Sequence, residues 1–112
     1  MATPEGQPFV VLTVFTSSPE HRQQFVTLIH DFANAQAMTR PGLCSFDIFT
    51  DEGEQHIVTL ARWKDRAAFE EYKRSDSGVR ASEMALVLNP MVYFLRPEAT
   101  LADAAMPWRR AG

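Results

Sequence analysis

The sequence predicts an α+β domain with a ferredoxin-like βαββαβ order, in which four strands form one antiparallel sheet with the helices on one face. Three observations predict this fold. Four short runs rich in β-branched and aromatic residues alternate in the required order with segments of helical periodicity. A short acidic turn containing Gly53 joins the two central runs as a hairpin. The length of 112 residues suits one domain and leaves no room for a second core.

The first strand and the first helix are separated by a strong helix start. Residues 9–15 predict the strand, because their β-branched and aromatic side chains fit a pleated surface. Ser18 as the N-cap and Pro19 at the first helical position predict where the helix begins. An apolar stripe at helical spacing follows, formed by Phe25, Leu28, Ile29 and Phe32. The segment Arg40-Pro41-Gly42 ends this half, because a proline disfavours helix at the residue before it.

The second half of the chain contains the hairpin, a broken helical segment and a last strand. We predict strands over residues 43–50 and 55–63, a turn over 51–54, helical structure over 65–88 and a fourth strand over 91–96. Residues 75–78 interrupt the helical pattern, so we expect two helical pieces. The domain is predicted to occupy residues 9–96, with an extension over 1–8 and a tail over 97–112.

Both faces of the second strand are apolar. With strict alternation its side chains divide into two sets, with Cys44, Phe46 and Ile48 on one face and Leu43 and Phe49 on the other. Helices on one side leave the second apolar face uncovered, and a second copy of the chain would bury it. We therefore expect a homodimer packed sheet to sheet, with Trp108 of the tail as part of a strap across the partner.

Composition excludes several classes of function. Eleven Lys and Arg against 14 Asp and Glu give a net charge of −3, with no basic stripe for nucleic acid. No run approaches the roughly 20 apolar residues that span a bilayer, and residues 1–8 do not resemble a signal peptide. Cys44 is the one cysteine, so no intrachain disulfide can form. We expect a cytoplasmic protein that binds neither nucleic acid nor a membrane.

The residues offer no metal centre and no nucleotide-cofactor motif. His21 and His30 are nine residues apart, which places them on opposite sides of a helix. His56 lies beside an acidic turn, without the spacing of a metal-ligand set. Cys44, in an apolar strand, is expected to be a small buried side chain and not a nucleophile. The widely spaced glycines form no phosphate-binding loop, so we predict no metal and no cofactor.

Residues 56–72 predict a small-molecule site where the third strand runs into a helix. Thr59 and Trp63 share a face of the strand, because side chains alternate. Asp65 can cap the helix, and Phe69 and Tyr72 lie three residues apart on its surface. Three hydrogen-bond donors then converge on an apolar space, which suits a flat organic molecule with a polar edge. Such donors bind an enolate or phenolate better than the neutral form and so lower the pKa of the substrate.

Three segments resemble the antibiotic biosynthesis monooxygenase family: Arg40-Pro41-Gly42 before a strand, the turn Asp51-Glu52-Gly53, and ARWKDRAAF over residues 61–69. The resemblance covers residues 9–96 and implies a dimeric α/β barrel of ferredoxin-like subunits. It also implies oxidation of polyketide phenols or anthrones by O₂ without flavin, haem or metal. Thr59 stands where quinone-forming members carry Asn, and Phe69 where some carry Tyr. Ser82 stands at the position of a histidine ligand in haem-degrading relatives, so the resemblance does not extend to haem.

The leading hypothesis is a cofactor-independent monooxygenase that oxidises a phenolic or enolisable polycyclic substrate with O₂ to a quinone or hydroxylated product. Trp63 and Thr59 would hold the substrate oxygen, and Tyr72 would donate to the developing anion. Apolar walls are predicted from four phenylalanines, with one histidine in phase with the helical stripe as a candidate base: Phe15, Phe32, Phe49, Phe69 and His21. The alternative is a non-catalytic dimeric binding module, or a cyclase-like protein, on the same barrel.

Overall fold

The computed structural model describes residues 7–35, 39–53 and 55–99. In this part of the chain the elements follow one another as β1 (Phe9–Thr16), α1 (Pro19–Ala35), β2 (Leu43–Thr50), β3 (His56–Trp63), α2 (Arg66–Arg74), α3 (Asp76–Ala85), a 3-10 turn (Leu86–Leu88) and β4 (Met91–Leu95). The strands form one sheet in the order β2-β3-β1-β4, with neighbouring strands antiparallel. The predicted α+β, ferredoxin-like order is confirmed.

The register of the sheet divides the strand residues between two faces. Two buried clusters, centred on Trp63 and Ile57, lie on one face. Side chains from α1, α2 and α3 pack against these clusters. We call this face of the sheet the helix face. The opposite, open face carries apolar side chains that belong to neither cluster: Val10, Leu12, Val14, Phe49, Val58, Leu60, Met91, Tyr93 and Leu95. The sheet is therefore apolar on both sides, as the sequence predicted, and the described helices pack on one of them.

The interruption predicted in the second helical segment is confirmed, and in the structure it consists of one residue instead of the predicted four. Ser75 has an extended conformation, with φ −74° and ψ 164°, and separates α2 from α3. Its backbone N–H donates to the Tyr72 carbonyl at 2.9 Å, which ends α2. Its hydroxyl accepts from the Gly78 N–H at 3.1 Å, which caps α3. One serine thus terminates one helix and starts the next.

Two expectations for β2 are wrong, for one physical reason. Consecutive pairs across the β2–β3 ladder are Leu43 with Trp63 and Ser45 with Arg62, so Cys44 is an extra residue in a β-bulge. The bulge turns Leu43 to the helix face, where it packs against the Trp63 cluster. It also leaves Cys44 exposed, where we expected a buried side chain.

Some predictions lie outside the described residues. These are the turn residue Glu54, most of the extension over 1–8, and the part of the tail that contains Trp108. None of the described helices combines the length and the apolarity needed to cross a bilayer.

Candidate functional site

A cavity of about 620 Å³ lies between the helix face of the sheet and the helices. All four strands line it, and α1 contributes the apolar stripe that its sequence predicted: Phe25, Leu28, Ile29 and Phe32. Side chains of α2, α3 and the 3-10 turn also line it. The walls are almost entirely apolar, and the volume falls in the range of roughly 300–1,000 Å³ that is usual for small-molecule sites.

Two polar side chains of the cavity lining are almost fully buried. Thr59 is 5% exposed and Trp63 is 2% exposed. Both project from β3 on the helix face, where Thr59 pairs with Thr13 and Trp63 with Phe9 of the neighbouring strand. The side chains that carry the hydroxyl and the indole N–H are therefore largely removed from bulk solvent, and in such surroundings a hydrogen bond is electrostatically stronger than in water.

Helix α2 brings Tyr72 against Trp63, with ring centroids 5.3 Å apart. Phe69 lies one turn earlier and contacts the same indole edge-on at 5.9 Å. This arrangement starts at Asp65, whose carboxylate accepts from the Ala68 N–H at 2.9 Å and caps the helix as predicted. Because the cap fixes where α2 begins, it also fixes which of its side chains face the cavity.

The Tyr72 hydroxyl is subject to two opposed influences. Burial raises its pKa, and the positive charge of Arg40 acts in the opposite direction. The guanidinium carbon of Arg40 lies 5.8 Å from the centre of the Tyr72 ring, within reach of a cation–π interaction. Since the pKa is raised from the ordinary value of 10.0, the hydroxyl is protonated at neutral pH and available as a donor.

Arg40 does not line the cavity but lies over the ring of the lining residue Tyr72, a contact that the sequence pattern did not predict. Its loop reaches the site because Gly42 adopts φ +91°, and the Gly42 carbonyl accepts from the Lys64 N–H at 2.7 Å. A Cβ at Gly42 would lie 2.6 Å from the Cβ of Ala68, so the loop and the start of α2 are in close contact. The available signal was an arginine directly before a Pro-Gly turn, which we interpreted as the end of a helix and as part of the family resemblance, without giving Arg40 a role in the site.

Most of the residues predicted for the site line the cavity: Thr59, Trp63, Tyr72, Phe15, Phe32 and Phe69. Phe49 does not, because it pairs with Val58 on the open face and is 52% exposed. His21 does not either, because it is exposed in the first turn of α1 and its Nδ1 lies 2.8 Å from the Ser18 hydroxyl. Both are corrections to the predicted site, and they remove the one histidine considered as a base.

The other titratable clusters lie away from the cavity. His56 faces Asp51 across the β2–β3 turn, with 2.8 Å between Nδ1 and Oδ2. Within the described ranges, no three His, Cys, Asp or Glu side chains come together in a way that could hold a metal ion.

The model of the antibiotic biosynthesis monooxygenase family matches residues 8–83. Rv0793 from Mycobacterium tuberculosis has a similar structure, with a TM-score of 0.72 and 19% identity over 85% of this chain and 99% of its own. PA3566 from Pseudomonas aeruginosa gives a TM-score of 0.69 and 19% identity over 87% of this chain and 100% of its own. SnoaB, a cofactor-independent oxygenase from Streptomyces nogalater, gives 0.67 and 15% identity over 87% and 99% of the two chains. At these identities the structural likeness shows a shared fold. No curated protein sequence matches the chain.

Proposed function

The chain belongs to the antibiotic biosynthesis monooxygenase family, and from that premise we propose that it is a cofactor-independent monooxygenase of phenolic or enolisable polycyclic substrates. The observation that carries the proposal is the polarity of the cavity. Its walls are mostly apolar, and Thr59, Trp63 and Tyr72 are the lining residues that we propose as hydrogen-bond donors. A substrate with one oxygen at its edge and an apolar body matches that distribution.

In the proposed reaction the substrate anion supplies the electrons and O₂ accepts them. For an anthrone, one O₂ is consumed, one oxygen atom replaces the two hydrogens of the reacting carbon, and the other oxygen leaves as water. Thr59 and Trp63 would hold the substrate oxygen, where negative charge grows as the proton leaves the carbon. Tyr72 would donate to the same oxygen. The protein contributes binding, orientation and the exclusion of water, which would otherwise solvate the anion and lower its reactivity.

The proposal is tested by oxygen uptake with an anthrone as the probe. We expect one O₂ consumed per quinone formed, and no quinone under anaerobic conditions. Trp63→Phe and Thr59→Ala should each lower kcat/KM about tenfold or more, because each removes a donor to a developing charge. His21→Ala, on the surface of α1, is the matched control and should leave the rate unchanged. Identical product traces with and without O₂ would exclude an oxygenase.

A second candidate is a non-catalytic binding module or a cyclase-like protein, and one observation favours it. Among the described lining residues the cavity contains neither a histidine nor a carboxylate that could remove a proton. If the anthrone binds, and Trp63→Phe weakens that binding, while no O₂ is consumed above the uncatalysed rate, the binding module is the correct interpretation.

The open face of the sheet supports a further part of the proposal, a homodimer packed sheet to sheet. Contact between its apolar side chains and water is unfavourable, and an isologous interface would bury the same set of side chains on both subunits. The cavity lies on the other side of the sheet, so each subunit would keep a complete set of donors.

A further inference from the structure

The exposed fraction differs strongly among the residues that line the cavity. Trp63 and Thr59 are 2% and 5% exposed, whereas Leu86 and Val87, which line the same cavity, are 72% and 76% exposed. Leu28 of α1, also in the lining, is 46% exposed. Thr59 and Trp63 therefore belong to the enclosed part of the lining, and the large aliphatic side chains of the 3-10 turn belong to the part open to solvent, which we call the mouth.

The 3-10 turn holds these two side chains in place. Leu88 is 7% exposed and belongs to the Ile57 cluster, so the turn is anchored in the core at one end. The chain then reverses through Asn89, a non-glycine residue with φ +50°, whose N–H donates to the Leu86 carbonyl at 3.3 Å. With its base fixed in this way, the turn presents Leu86 and Val87 to solvent at the mouth.

We propose that Leu86 and Val87 form an apolar subsite at the cavity mouth that binds the end of the substrate farthest from its oxygen. This inference rests on the proposed function and narrows its substrate class to phenols or enols with an apolar extension opposite the oxygen. The subsite is continuous with the apolar wall that leads from the donors, so an extended molecule can contact both at once. Each side chain is mostly in water without substrate, and covering it removes apolar surface from water.

The test compares the binding of naphthol with that of naphthol carrying a hexyl chain opposite its hydroxyl. In the parent protein the hexyl compound should bind more tightly. We call the ratio of the affinity for the hexyl compound to that for naphthol the gain. In the double variant Leu86→Ser, Val87→Ser the gain should be lower by a factor on the order of ten, while the affinity for naphthol itself stays unchanged. Val79→Ser is the matched control: Val79 is 48% exposed on α3 and does not line the cavity, so the gain should persist.

Every other outcome overturns the inference. A double variant that keeps the full gain, or that loses affinity for both compounds equally, shows that the mouth does not select the extension. If the double variant changes the molecular mass measured by light scattering, Leu86 and Val87 are subunit contacts. If the parent binds neither naphthol, the proposed function fails together with the subsite. If the parent consumes O₂ with an anthrone and the gain is unaffected, only the subsite fails.

Discussion

At the scale of single residues, the charge of Arg40 opposes the larger effect of burial on the pKa of the Tyr72 hydroxyl. Burial raises the pKa of Tyr72, and the Arg40 cation over its ring lowers it. Arg40→Gln removes the charge, so the pKa of Tyr72 should rise further above its ordinary value. Tyr72 and Tyr93 are the two tyrosines of the chain, so tyrosinate absorbance in a Tyr93→Phe background follows Tyr72 alone. Arg40→Lys keeps the charge and is the control. An identical titration for the Gln variant would mean that solvent screens the interaction.

Whether the place of a residue could be predicted from the sequence depended on what determines the direction of its side chain. Thr59 and Trp63 could be placed on the same face of β3, because side chains along a strand alternate between its two faces with a strict period of two. Phe49 obeys the same rule, but the sequence does not say which face of the sheet the helices cover. In the structure Phe49 lies on the open face, away from the helices. His21 has the phase of the helical stripe and still points to solvent, because the first turn of α1 extends past the cavity. Arg40 depends on a loop conformation that no periodicity describes.

At the scale of elements, the corner between α2 and α3 depends on Gly78. A Cβ at this position would overlap the Tyr72 carbonyl oxygen and lie 2.9 Å from the Cα of Lys73, so the two helices would have to separate. Gly78→Ala should lower the free energy of unfolding by about 3 kcal/mol or more, measured by denaturant titration. Gly53→Ala is the control, because its Cβ would meet only the Asp51 carboxylate at 3.5 Å. Equal stability of the two variants would mean that the corner relaxes freely.

The hairpin between β2 and β3 depends on Asp51. Its carboxylate accepts from the Gln55 and His56 N–H groups at 3.0 Å each and lies 2.8 Å from the His56 ring. The hydrogen bond to the His56 side chain is the main reason that the pKa of Asp51 falls from 3.8 to about 2.

Because the folded pKa of Asp51 is below the unfolded one, its stabilisation is complete above the unfolded value of 3.8 and is lost as pH falls through about 2. Asp51→Asn should remove this part of the acid sensitivity, so its unfolding midpoint in urea should fall less than that of the parent across this window. Glu52→Gln removes one charge from the same turn and should keep the parent's pH dependence. If both variants behave alike, the net charge of the turn governs its acid response.

The order of the elements was predictable from local signals, whereas their fine geometry was not. The acidic turn with Gly53, the cap at Asp65 and the break at Ser75 each depend on a few neighbouring residues, and all three appear in the structure. The bulge at Cys44 depends on how β2 pairs with β3, a partner more than ten residues away along the chain. Nothing local to β2 marks that extra residue, so both the exposure of Cys44 and the face of Leu43 required the three-dimensional structure.

At the scale of the whole molecule, the two faces of the sheet have different surroundings. The helix face encloses the cavity, and the open face carries Leu12 and Leu60 as directly paired neighbours on the two central strands. Both are half-buried within the single chain, so substituting either one with a charged residue places that charge at the centre of the proposed dimer interface.

Leu60→Lys therefore tests the dimer. We expect light scattering to give about twice the chain mass of 12.6 kDa for the parent and about 12.6 kDa for this variant, because a like-charged pair would meet across the two-fold axis. Val79→Lys adds the same charge to the exposed surface of α3 and should remain dimeric. Far-ultraviolet circular dichroism checks that both variants are folded. A parent mass near 12.6 kDa would show that the open face is exposed in solution, and a dimeric Leu60→Lys variant would move the interface elsewhere.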